Sequence, residues 1–422
     1  MEVTAAPTDA DVLIVGAGPA GGWLAGDLAA AGLSVTMIDR LQDLQANAFS
    51  SAALPQASVE RFGIPEAVIA ARFSGWQLHG PGAGARHWPS GQCLGAVLDF
   101  GALRSWLAQR ALDHGARLVL GWKAIAWQEL DDGVQLTLSN SRTERREIRG
   151  RWLVDATGSQ RQLIGPCQQP LPEPLVSGIG VEWLLSVSQP QWQAWSDRLS
   201  FMLGSDWVPQ GYGWIFPMQA PLLKVGVCRL EDHAEAGRAP SPPLGALLHQ
   251  LLERQGLSEA TVLDRHGGRI ESTVGRRECH RLGRLIGLGD AVSTANLLGG
   301  EGIRHALLSA QLLAPRLLTA VLRDQGLNPS WSQRLLRSDP LRSYPGALRR
   351  ALGWRWRLSG RLARRTWLGL RHRRADRRLE RLLQGLERQP AEVLSSLLFD
   401  YRFERYGLRA LPDLLGLRRG KR

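Results

Sequence analysis

The stretch "DVLIVGAGPAGGWLAGDLAAAGLSVTMIDR", residues 11–40, leaves the chain few folds to choose from. The apolar run 12–15 predicts a strand, Gly16, Gly18 and Gly21 follow in the spacing GxGxxG, residues 19–31 have helical apolar periodicity, and 34–39 predict a second strand that ends in Asp39. Strand, tight turn, helix and strand together require a right-handed crossover and hence a parallel sheet. Each residue type has a physical task there. Gly16 permits the turn, Gly18 lets backbone approach a pyrophosphate, Gly21 brings helix close to strand, and the helix N-terminus favours phosphate. Asp39, at the end of the second strand, accepts hydrogen bonds from a ribose hydroxyl.

Two later segments continue the pattern. "WLVDATGSQ", 152–160, and "LIGLGDAVSTANLLGGEGIRHALLSAQLLA", 285–314, each read as a strand that ends near an acid and a glycine. Between the first and second motifs, "LDFGALRSWLAQRALDHGARL", 98–118, predicts a helix carrying Arg104. With these in order, residues 10–320 resemble flavoproteins with the glutathione-reductase-type nucleotide fold, in the branch of the aromatic hydroxylases and geranylgeranyl reductases. The resemblance implies that FAD is bound by Gly16, Gly18, Gly21, Asp39, Arg104, Asp155, Gly158, Asp290, Gly300 and Gly302. Arg104 would approach the pyrophosphate and Asp290 the ribityl chain.

"GYGWIFP", 211–217, places three rings at every second position, so Tyr212, Trp214 and Phe216 share one face of a strand. Alternating aromatics are a common core pattern; they also resemble the YxWxFP motif of the geranylgeranyl reductases, with "LLKVGV", 222–227, as the partner strand. That resemblance implies a prenyl-chain tunnel walled by the three rings. "GGEGI", 299–303, is closer to the reductases than to the hydroxylases, and Glu301 is either a carboxylate near the flavin or a helix N-terminal acid. Two places depart from the reductases: "NAFSSAALP", 47–55, stands where they carry Cys-Gly-Gly, and Leu297 where they tend to carry proline. Flavin halogenases need an early lysine, and none precedes Lys123. A lycopene-cyclase acidic motif and a second GxGxxG unit for a separate NAD(P)H domain are also missing, so either NADPH as electron donor visits a shared cavity or a protein donor supplies the electrons.

Charge divides the chain. Residues 331–422 hold 24 Lys+Arg against 8 Asp+Glu, leaving 28 against 31 of the total 52 and 39 for residues 1–330. Within this tail, 345–388 predicts one or two helices with Leu348, Leu352, Trp356, Ala363, Trp367 and Leu370 between arginines. Such a segment either lies on an anionic membrane surface or packs on the protein with a solvated arginine face. No nucleic-acid module accompanies the charge, so nucleic acid is not expected. The four cysteines lack metal-site spacing and predict reduced, buried thiols, and no signal peptide is expected. Asp27 and the glycines of 12–33 argue against a membrane span there, and no other stretch suggests one.

These readings predict an α/β protein: a Rossmann-like FAD-binding domain of the aromatic-hydroxylase type, a β-sheet substrate domain and a C-terminal helical region. The expected division is 1–75, 98–165 and 276–325 for FAD, 76–97 and 166–275 for substrate, and 326–422 for the basic helical region. The expected function is reduction of C=C bonds in a prenyl chain on a lipid, pigment or quinone by a cytoplasmic enzyme, peripheral on a membrane if 345–388 contacts lipid. Hydroxylation of a prenylated aromatic or quinone, and a non-catalytic flavin-binding assembly role, are the alternatives.

Overall fold

The computed structural model describes residues 9–46, 50–82, 84–232, 242–275, 277–326 and 339–403. The first strand, Asp9–Val15, lies between Val35–Asp39 and Arg145–Asp155 and runs parallel to both. Arg117–Leu120 and Leu285–Gly287 extend this parallel core outward, and Trp122–Glu129 with Val134–Asn140 forms an antiparallel flap on Arg145–Asp155. Val12, Leu13 and Ile14 are at most 1% exposed, as a strand covered on both faces requires. The helix Pro19–Ala30 starts directly after Gly18 and packs on Phe100–Asp113 and Ile303–Asp324.

A second sheet of seven strands stands beside this core, in the order Thr261–Ser272, Val176–Ser186, Leu222–Asp232, Gly211–Pro217, Arg198–Leu203, Gly75–His79 and Ala85–Pro89. Leu222–Asp232 pairs antiparallel with Gly211–Pro217, as expected for the partner strand. One face of the sheet, with Ile215, Val225 and Val227, is closed by the helix Leu244–Arg254. Tyr212, Trp214 and Phe216 are on the other face.

The C-terminal helices Tyr344–Gly369, Arg373–Leu386 and Ala391–Leu398 cover that aromatic face. The first of them breaks at Gly353, where φ is 77°. Leu348, Trp356, Ala363, Trp367 and Leu370 are buried and Leu352 is half-buried, so the apolar stripe of 345–388 packs on protein while most of its arginines face solvent. Trp354, 56% exposed, is the exception among its rings.

Two sequence expectations change. Cys93, Cys167 and Cys279 are exposed free thiols; only Cys228 is held inward, and burial pushes its thiol up to about 12. The helix Ile303–Asp324 is long and apolar enough to cross a membrane by length and composition, although 56% of its apolar window is buried inside the protein. The spacing of its leucines serves helix packing, which hydropathy alone does not distinguish from a span.

Candidate active site

The first turn is closed by atoms that tolerate no side chain. A Cβ on Gly16, whose φ is +107°, would lie 2.3 Å from Ala156 O, and one on Gly21 would lie 1.9 Å from Gly16 O. Gly18 differs: nothing lies within 4 Å of its Cβ position, so its backbone faces open space. Asp39 ties the turn to the second strand, because its Oδ2 accepts from Ala17 N at 2.7 Å and its Oδ1 from Leu41 N at 2.9 Å.

Arg104 reaches the same space from the helix Phe100–Asp113, which Asp99 caps by accepting from Ala102 N. Its guanidinium donates to Ala46 O at 2.6 Å and lies over the Phe100 ring, while its buried Nε has no protein partner. Burial lowers its pKa, against the opposing fields of Asp39, Asp43 and Asp99. A buried cation with an unfilled donor is costly unless an anion or acceptor completes it.

The structure brings Gly16, Gly18, Asp39, Arg104, Gly158, Asp290, Gly300 and Gly302 to one cavity between the parallel sheet and Ile303–Asp324. Gly21 and Asp155 stand behind it. Asp155 accepts from Thr157 N and Oγ1 with one oxygen and from Leu163 and Ile164 N with the other, so it shapes the turn that carries Gly158. Asp290 accepts from Thr294 Oγ1 at 2.8 Å. Trp122, Lys123 and Ile270 also line the cavity, and nothing in the spacing of the motifs points to them. Arg161 was equally invisible: fully enclosed, it donates to Ala291 O at 3.1 Å and Ser293 Oγ at 2.7 Å, joining the second motif to the third.

The three rings form a closed layer and do not line this cavity. The Trp214 indole lies across Gly226, where a Cβ would be 2.2 Å from Cζ2, and donates to Glu182 Oε2 at 2.9 Å. Glu182 is buried, which raises its carboxyl, with Lys224 Nζ 4.0 Å away; that ammonium donates to Ser50 O, on the cavity wall. Tyr212 packs on Trp367 of the C-terminal helix at 5.1 Å, and its Oη lies 3.3 Å from the Cβ position of Gly300. The aromatic layer thus touches the glycine segment of the cavity.

Glu301 stands just before the helix N-cap Gly302, is not among the residues that line the cavity, and has a side chain only 8% exposed. It pairs with Arg304 and accepts from Tyr401 Oη at 2.8 Å, and burial raises its carboxyl. Leu297, where the reductases tend to carry proline, is 2% exposed and packs with the aromatic layer. Of 47–55, residues 47–49 lie outside the described residues, and Ala53–Pro55 forms an edge of the small three-stranded sheet.

Comparison with known proteins identifies the family and the fold. The FAD binding domain family matches residues 9–329. The digeranylgeranylglycerophospholipid reductase of Haloferax volcanii is 26% identical over 92% of this chain and 91% of its own. The menaquinone reductase of Mycobacterium tuberculosis is 27% identical over 72% and 76%. Among solved structures, a geranylgeranyl bacteriochlorophyll reductase-like protein from Thermoplasma acidophilum superposes with a TM-score of 0.77 at 20% identity, covering 96% of this chain and 99% of that one. The residues present fit the cofactor: open backbone at Gly18 and a buried guanidinium with a vacant donor are what a dinucleotide pyrophosphate requires. The chain belongs to the FAD-binding domain family and is an FAD-dependent oxidoreductase with geranylgeranyl reductase-like relatives.

Proposed function

We propose that this enzyme saturates carbon–carbon double bonds of a prenyl chain carried on a lipid- or quinone-like head, with NADPH as electron donor. The observation that carries the reading is the contact between the aromatic layer and the cavity, where Tyr212 and Ile270 both border Gly300. The names of the Haloferax and Mycobacterium relatives support a lipid or quinone substrate class.

In this reading Gly16, Gly18 and Gly21 form the phosphate turn, Asp39 meets the ribose and Arg104 the pyrophosphate. Asp155 and Gly158 shape the second turn, and Asp290, Gly300 and Gly302 border the flavin end. FAD, when bound, supplies the two-electron chemistry that alkene reduction needs. The protein orients the alkene and keeps water out: Tyr212, Trp214 and Phe216 offer large apolar faces to a flexible hydrocarbon without demanding hydrogen bonds. Entry of a chain requires the closed aromatic layer to part from Trp367, and the C-terminal helices are the cover that moves. The division into FAD-binding segments 1–75, 98–165 and 276–325, substrate segments 76–97 and 166–275, and a covering tail from 326 follows the same reading. The solvated arginines of 345–388, with exposed Trp354, would rest on an anionic membrane of a cytoplasmic face.

Turnover of the FAD-loaded enzyme with NADPH and a geranylgeranyl lipid, followed by mass spectrometry, tests the proposal. A product gaining two hydrogen atoms per bond supports it; a product gaining oxygen, and only in air, replaces it with hydroxylation.

A further inference from the structure

A second cavity, of about 680 Å³, opens between the segment around Pro172–Pro174, the segment around Val274–Arg277 and the helix Tyr344–Gly369. Arg361, Arg364, Arg365 and Leu368 of that helix line it, at spacings of three and four residues that put them on one face. Arg277 joins them from the facing segment. Four arginines thus line one hollow together with one carboxylate, Glu173, whose Oε1 accepts from Gly275 N at 2.6 Å. Arg277, Arg361 and Arg365 are exposed and Arg364 is half-buried, so the hollow opens to solvent on its arginine side. Planar guanidiniums bind phosphate oxygens in pairs and tolerate partial burial better than lysine, so the chemistry of this wall is that of a phosphate-type anion.

The cavity is also next to the apolar layer. Leu368 and Val274, on its wall, pack into the cluster that holds Tyr212 and Trp214. Ile270, in the same cluster, lines the nucleotide cavity. Trp367, adjacent to Leu368, rests on Tyr212 at 5.1 Å and donates from Nε1 to Leu298 O. The arginine-lined hollow and the nucleotide cavity therefore border the same closed apolar layer.

We infer that the arginine-lined cavity holds the phosphate-type head of an amphiphilic substrate whose hydrocarbon chain passes over the aromatic layer toward the nucleotide cavity. The inference rests on the prenyl-chain reading and adds to it a polarity: head between Glu173 and Arg365, chain inward past Leu368. The arginines would set affinity for anionic substrates and leave neutral ones unaffected.

Equilibrium binding to the FAD-loaded protein tests this, read by tryptophan fluorescence with no turnover. The probes are geranylgeranyl diphosphate, the uncharged geranylgeraniol and inorganic pyrophosphate. The proteins are wild type, Arg364→Gln/Arg365→Gln, the Lys/Lys version of the same pair, and Trp214→Ala. The inference expects geranylgeranyl diphosphate to bind most tightly, to weaken with added salt, and to lose about tenfold or more in the Gln/Gln protein with partial recovery in the Lys/Lys protein. Geranylgeraniol should bind both alike, and Trp214→Ala should weaken both prenyl probes. If both prenyl probes bind equally and the Gln/Gln change moves neither, the head site is overturned while the prenyl reading stands. If pyrophosphate binds as tightly as the prenyl diphosphate and only the anion responds to the arginines, the cavity is a free-anion site and the inference is overturned. If neither prenyl probe binds in any protein, the prenyl reading itself fails, and the inference with it.

Discussion

Gly18 and Gly21 belong to one motif but are needed for different reasons, and replacing each by alanine separates them. At Gly21 the new Cβ would sit 1.9 Å from Gly16 O and 3.2 Å from the Ala156 Cβ. An ordinary carbon–oxygen contact is longer by about 1.5 Å, and the obstructing atom is backbone of the turn, so the helix Pro19–Ala30 must shift outward from the sheet. Overpacking of this kind costs roughly 1–3 kcal/mol or more. At Gly18 the Cβ meets nothing within 4 Å, and φ −77°, ψ −174° is open to any residue. Gly18→Ala therefore changes the FAD-free protein by less than about 1 kcal/mol, the residual being the weaker N-cap. Its methyl group projects into the space where backbone must approach phosphate, so FAD affinity falls. Urea denaturation of FAD-free protein and flavin fluorescence titration read the two effects. Equal destabilisation by both substitutions, or wild-type FAD affinity in Gly18→Ala, would refute the reasoning.

Further outcomes follow from single contacts. Arg104→Met, which removes the buried guanidinium with the vacant Nε, should weaken FAD binding about tenfold or more while leaving FAD-free stability within ~1 kcal/mol, measured by the same titration and denaturation. Tyr401→Phe takes one partner from the buried Glu301 and should cost about 1–2 kcal/mol in urea, and Glu301→Gln, which also strips the buried Arg304 of its carboxylate, should cost more, roughly 3 kcal/mol. His79 lies against Trp195 and Trp207, and burial, with the charges of His87 and Arg254, lowers its pKa to about 4. A depressed histidine favours the fold above its ordinary value near 6.5, and that contribution is lost as pH falls through about 4. His79→Gln should accordingly show a smaller drop in urea midpoint between pH 7 and pH 4.5 than wild type; parallel losses would contradict the assignment.

How much of this could be read in the chain depended on the range of the interaction. The nucleotide turn was legible because its constraints are local: Gly16, Gly18, Gly21 and Asp39 act within one crossover, and the structure places the turn where the spacing puts it. The pairing of 222–227 with the aromatic strand was legible for the same reason. The covering of that strand was not. Alternating rings state which face is apolar, and the stripe in 345–388 states the same of a helix, yet neither names its partner. Trp367 on Tyr212, 155 positions apart, is decided by tertiary packing. Glu301 shows the limit most plainly, since its position at a helix start invites a dipole explanation while Tyr401, 100 residues on, supplies the contact. Arg161 was hidden because an arginine in a loop gives no signal of burial, and the exposed cysteines because composition says nothing about depth.

The central claim is that the aromatic layer receives a prenyl chain beside the flavin, and anaerobic stopped-flow reoxidation of the reduced, FAD-loaded enzyme tests it most directly. The account predicts that a geranylgeranyl lipid reoxidises the flavin of wild type without oxygen, and that Trp214→Ala, with FAD affinity retained, slows this at least tenfold. Reoxidation that occurs only when oxygen is admitted, or that proceeds equally fast without the Trp214 ring, would contradict it.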